Sequence, residues 1–200
     1  MSNVTLTSGE QSQSDSSPFN ARGGKTGEQI VSELHGRYYE TTYRGRMFGI
    51  TGGLTTTTAA GAATFTGLIV GNPAGSGYNL AINKVTVLQG AALTAETDIG
   101  IMYGINTTTP SLATIFNRKA GGGASVAVAN AGQTITAMTA FIVFAGSGSG
   151  AITVPGLMPV VGVDFEGSLV IPPGYAVASY TSRVSTTALM FSFAWEEIPI

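Results

Sequence analysis

The stretch GGKT at residues 23–26 carries the glycine, lysine and hydroxyl of a phosphate-binding loop. That loop also needs glycine at position 19, which is Phe19 here, and a preceding strand to aim backbone N–H groups at the anion. GGKT therefore reads as linker. His35 is the single histidine, which excludes multi-histidine metal sites and leaves any Ser-His-Asp arrangement dependent on one residue at a helix end. Carboxylate pairs of the glycosidase kind occur at Glu96 with Asp98, Asp164 with Glu166, and Glu196 with Glu197. All three lie near the ends of expected strands, where solvated turns and ion pairs account for them. VDFEG at residues 163–167 offers two hard oxygen ligands for calcium, but the spacing of Asp164 and Glu166 by itself specifies no site. With no cysteine there is neither a disulfide nor a thiolate metal site. The expectation is a non-enzymatic protein with no cofactor.

Elements that would position such groups are better marked than the groups themselves. From residue 50 onward, short apolar runs alternate with Gly, Pro, Asn and Ser: residues 54–60, 63–70, 79–89, 98–106, 112–117, 124–130, 139–145, 167–171, 175–181 and 188–196 read as nine or ten strands. Ile99, Ile101, Tyr103 and Ile105 share one face of their strand, and Gly100, Met102 and Gly104 the other. Glycines in that pattern indicate a close approach to the backbone. In the last strand Leu189, Phe191, Phe193 and Trp195 form a core face, while Ala188, Met190, Ser192 and Ala194 form a small-residue face suited to a neighbouring subunit. Pro172, Pro173 and Gly174 fit a turn into the penultimate strand, because proline lacks the ladder donor. The architecture expected is an all-β sandwich of jelly-roll or Greek-key type over residues 51–200.

Residues 1–24 are Ser, Gln, Asn and Gly with almost no large apolar group, the composition of a flexible or extended arm. Residues 25–50 form a second segment. Thr26 and Gln29 have capping-box spacing, and Ile30, Val31 and Leu34 fall on one helical face, so a helix of two to three turns is expected near 27–35, stopped by Gly36. A helix that short needs a partner surface. After it, Arg37, Tyr38, Tyr39, Tyr43, Arg44 and Arg46 interleave the two residue types favoured as interface anchors.

Charge narrows the function classes. Asp, Glu, Lys and Arg make up 10% of the chain, well below the roughly 25% of an average soluble protein, so much of the surface is neutral and assembly is expected. Ten of the charged residues precede residue 47, and none lies between Lys119 and Asp164. A formal net charge of -2 with no basic run leaves no footprint for nucleic acid. No apolar run approaches a membrane span, and the N-terminus lacks the basic-then-apolar pattern of a secretory signal.

The segment GEQIVSELHGRYYETTYRGRMF, the turn GNPAGSGYNL at 71–80 and the closing LVIPPGYAVASYTS and FSFAWEEIPI resemble virion proteins of tailed bacteriophages. The nearest class is the jelly-roll decoration or cement proteins that sit as trimers on capsids, and the ending is also similar to trimeric TNF-like and receptor-binding jelly rolls. The resemblance implies a homotrimer on the capsid surface of a virion, made in the host cytoplasm, whose N-terminal segment binds the major capsid protein. Ile30, Val31, Leu34 and the Tyr/Arg anchors would dock, and the small face of the last strand would form the trimer seam. The alternative is a head or tail fibre module that recognises a host surface glycan, for which Tyr78, Tyr103 and Phe116 are the candidate aromatic platforms.

Overall fold

A computed structural model of the chain describes residues 36–52, 55–57, 65–91, 93, 95–106, 113–135, 138–147, 161–183 and 185–200. The expected arm and the helix at 27–35 lie outside the described residues. The chain divides after Tyr39, and the unit Glu40–Ile200 holds both β-sheets. The helix among the described residues is the short α1 (Tyr39–Tyr43), inside the Tyr/Arg segment. Arg44 extends it by donating its backbone N–H to Glu40 O and its Nε to Glu40 Oε1 at 2.7 Å, an i,i+4 ion pair.

Eleven strands follow among the described residues: β1 (Met47–Thr51), β2 (Thr55–Thr57), β3 (Phe65–Gly71), β4 (Tyr78–Gln89), β5 (Thr97–Ile105), β6 (Phe116–Asn117), β7 (Val128–Ile135), β8 (Thr139–Ser147), β9 (Val161–Ile171), β10 (Tyr175–Thr181) and β11 (Ser185–Pro199). Their pairing is nested. β5 pairs with β8, β4 with β9, β3 with β10 and β1 with β11, all antiparallel. Contacts of β11 with β4 and of β10 with β5 join these pairs into two sheets, β6-β1-β11-β4-β9 and β7-β3-β10-β5-β8. This is the jelly-roll arrangement expected from the sequence. β6 and β7 both come from the β5–β8 connection and extend the two sheets at the edges beside β1 and β3. β2 runs along the β1 side of β11.

Residues 47–50, grouped by sequence with the docking segment, are strand β1, and Phe48 and Ile50 enter the core. Phe48 stacks against Trp195, its register partner on β11, with ring centroids 6.2 Å apart. Leu189, Phe191, Phe193 and Trp195 are all buried in that core, as their alternation implies. On β4, alternation would send Leu80 and Ile82 to one face and Val85 and Val87 to the other. A bulge at Asn83 inserts one residue opposite β11, and all four enter the core. On the second sheet Leu68, Val70, Ile101 and Val177 face the core, and Ile69, Met102, Ala176 and Ala178, at the alternate positions, make a second buried cluster with Met138 and Tyr180 packed against it.

Two close approaches are met by glycine. A Cβ on Gly100 would lie 2.0 Å from Ile142 O, where the β5–β8 register shifts. Gly174, at φ 86°, completes the turn between β9 and β10, and its N–H donates to Asn72 O. Asn72 gathers that end of the sandwich. Its own N–H donates to Tyr175 O, and its Nδ2 to Tyr78 O and Ile171 O.

Candidate functional site

The outer face of the first sheet takes its shape from its register. Phe116 of β6 lies opposite Gly49, Gly49 opposite Ala194, Ala194 opposite Lys84, and Lys84 opposite Asp164, so one row crosses five strands. The next row runs Thr51, Ser192, Thr86, Gly162. Small side chains occupy the centre and long ones the flanks, and the result is an open depression of about 220 Å³ floored by Gly49, Ser192 and Ala194. Phe116 and Arg118 form one wall; Lys84 and Thr86 form the other.

Arg118 follows β6 and continues its ladder, donating its backbone N–H to Met47 O. Its side chain returns over Gly49, with Nε 3.4 Å from the point a Cβ would occupy. Glycine at 49 therefore leaves room for the guanidinium over the sheet. Among the described residues no carboxylate pairs with it, whereas Lys84 Nζ is 3.2 Å from Asp164 Oδ1. Ser192 Oγ donates to Thr51 Oγ1 at 3.0 Å, and neither hydroxyl contacts a base among the described residues. Among the described residues the arrangement offers one unpaired cation, one cation paired with a carboxylate, three hydroxyls and an aromatic ring. Such groups are suited to holding and orienting a polar ligand.

A second exposed feature lies at one end of the other sheet. Tyr103 of β5 and Phe141 of β8 meet edge to face, with centroids 5.4 Å apart. Ile105 is the register partner of Tyr175, two positions along from the Tyr103–Val177 pair. These four side chains are 41–71% exposed and form one apolar patch.

The sequence candidates are dispersed. Ile30, Val31 and Leu34 lie outside the described residues. Arg37 sits over the Tyr38 ring at 5.6 Å. Tyr39 and Tyr43 are exposed on α1, with Lys119 Nζ 5.0 Å from the Tyr43 ring centre, and Arg44 is held by Glu40. Exposed Arg46 leads into β1, and its carbonyl accepts from Glu197 N. Of the small face of β11, Ser192 and Ala194 floor the depression and Met190 is half-buried; the Ala188 side chain lies outside the described residues. Phe116 and Tyr103 are exposed aromatics, and Tyr78 is half-buried. Glu196 and Glu197 point to opposite sides of β11: Thr41 Oγ1 donates to Glu196, and buried Glu197 accepts from Ser125 Oγ and Val126 N. Among the described residues no three His, Asp or Glu side chains gather as a metal site, and no helix is long and apolar enough to cross a membrane.

Arg118, Lys84, Thr51 and Thr86 were not singled out by sequence, since nothing in NRKAGGG or INKVTV announces that the two segments flank one depression. Phe141, Ile105 and Tyr175 read as ordinary strand residues. No protein-family model, curated protein or solved structure matches the chain.

Proposed function

We propose that the chain is a structural component of a virus particle, a decoration or cement protein that self-associates as a homotrimer and holds the major capsid protein through its N-terminal segment. The observation that carries this reading is the patch of Tyr103, Ile105, Phe141 and Tyr175, exposed together on a chain only 10% of whose residues are charged. Large contiguous aromatics on a charge-poor surface are the composition of an interface centre. The resemblance of the N-terminal and C-terminal segments to virion proteins supplies the setting. For the seam itself, this end patch is favoured over the β11 face. Burying the β11 face would desolvate Arg118 and Lys84, a cost that the apolar patch does not carry.

Light scattering on the purified full chain tests the reading: a particle of three 20.4 kDa chains is expected, and a monomer at micromolar concentration rejects self-association. Docking is tested by cosedimentation with shells of major capsid protein. Tyr43→Ala together with Arg44→Ala should reduce the bound fraction, and unchanged binding rejects the segment as the anchor.

A further inference from the structure

We propose that the depression over Gly49 and Ala194 binds one acidic sugar residue, with Arg118 holding its carboxylate. This inference stands whether or not the chain belongs to a particle.

Charge selects the anion. Arg118 lies over Gly49 with no carboxylate partner among the described residues, and Lys84 is balanced by Asp164 across 3.2 Å. The depression is thus locally positive on a chain whose net charge is -2. A guanidinium presents parallel N–H groups that match a carboxylate's two oxygens. The nearest acid further along β11, Glu196, receives Thr41 Oγ1.

The remaining groups select a sugar over a bare anion. Thr51 Oγ1 and Ser192 Oγ lie 3.0 Å apart in one hydrogen bond, and Thr86 stands opposite Ser192 on the next strand, about 4.8 Å away backbone to backbone, so the three form a short row of hydroxyls that adjacent sugar hydroxyls can meet. Each hydroxyl both donates and accepts, as sugar hydroxyls require. Phe116, 62% exposed on the rim, offers an apolar surface to the C–H side of a ring. At about 220 Å³ the space is below the roughly 300–1,000 Å³ of pockets for drug-sized ligands, which limits the occupant to a single ring. A nucleic-acid strand would need a track of cations and stacking rings, and among the described residues the depression is lined by one unpaired Arg and one exposed Phe.

The test is amide NMR titration of the full chain with glucuronate, glucose, acetate and inorganic phosphate. Glucuronate should shift the Gly49, Ser192 and Ala194 amides saturably and bind about tenfold more tightly than glucose, the ratio expected for one charge-assisted contact. Acetate and phosphate should bind more weakly than glucuronate. Arg118→Gln should bring glucuronate close to the glucose level, Phe116→Ala should weaken both sugars, and Lys119→Gln, outside the depression, should change neither. All three altered side chains are exposed, so the melting transition should be retained. Should Arg118→Gln nevertheless fail to fold, the ranking of the four ligands on the unaltered chain still decides. Phosphate or acetate binding as tightly as glucuronate, equal binding by Arg118→Gln, or no shift at Gly49 and Ala194 at high glucuronate would each overturn the proposal.

Discussion

Asn72 donates its side-chain amide to the carbonyl of Ile171, 99 residues away, at 2.9 Å, and thereby ties the end of β3 to the end of β9. The same Nδ2 reaches Tyr78 O at the start of β4. Asn72→Ala leaves two carbonyls short of a donor in a buried corner, and a loss of about 2 kcal/mol is expected in urea denaturation. Asn72→Asp should be worse than Ala, because a carboxylate aims acceptors at acceptors. The reverse order would mean that the corner is held by packing alone.

Phe193 and Trp195 separate two core effects. Phe193→Ala removes a fully buried ring and should cost about 3–5 kcal/mol, followed by fluorescence of the chain's single tryptophan. A change under about 1 kcal/mol would place the ring outside the core. Trp195 is equally buried, but its Nε1 has no acceptor among the described residues. Trp195→Phe loses volume and also removes an unsatisfied donor that costs about 1–3 kcal/mol, so by circular dichroism its net effect should stay within about 1 kcal/mol.

Gly100→Ala should be poorly tolerated despite the small change in volume. Its methyl would meet Ile142 O at 2.0 Å and Val143 Cα at 2.9 Å, which are backbone atoms that move only with β8. A loss of at least about 2 kcal/mol is expected, together with faster amide exchange along 139–147. Unchanged exchange there would contradict the register shift.

Glu197 is 4% exposed and accepts from Ser125 Oγ and Val126 N. Glu197→Gln keeps an acceptor oxygen and should melt close to the unaltered protein. Glu197→Ala orphans the Val126 N–H and should cost about 1–3 kcal/mol. Equal melting of the two variants would show that the loop is satisfied in another way.

Phe141→Glu places a charge beside Tyr103 in the apolar end patch. If that patch is the seam, scattering mass should fall to a single chain while circular dichroism is retained, since Phe141 is 48% exposed and outside the core. Ser192→Arg, in the depression, should leave the mass unchanged. The opposite pair of results would return the seam to the small face of β11.

Ten of the eleven strands among the described residues overlap runs legible in the sequence, and the exception shows what made the others readable. β11 alternates without interruption from Leu189 to Trp195, so its core face is plain. β1 does not: Met47 and Gly49 share the outer side, yet Met47 is buried and Gly49 has no side chain, and the strand follows directly on a Tyr/Arg segment with interface composition. Its period of two is hidden. The candidate site was less readable than the fold. Phe116 stands out as an aromatic and Ser192 and Ala194 as small residues, but that they line one depression with Lys84 and Arg118 depends on pairing between four separate segments.

Local sterics are written in the sequence. Opposite faces for successive side chains and turns at Gly and Pro follow from neighbours along the chain, so the all-β class and the core face of β11 could be read directly. The nested pairing, the bulge at Asn83 and the guanidinium resting on Gly49 were decided by tertiary structure. Alternation says which residues share a face of one strand, but the neighbour across the ladder is chosen by the packing of the whole core. One residue of register there exchanges every inward side chain for an outward one.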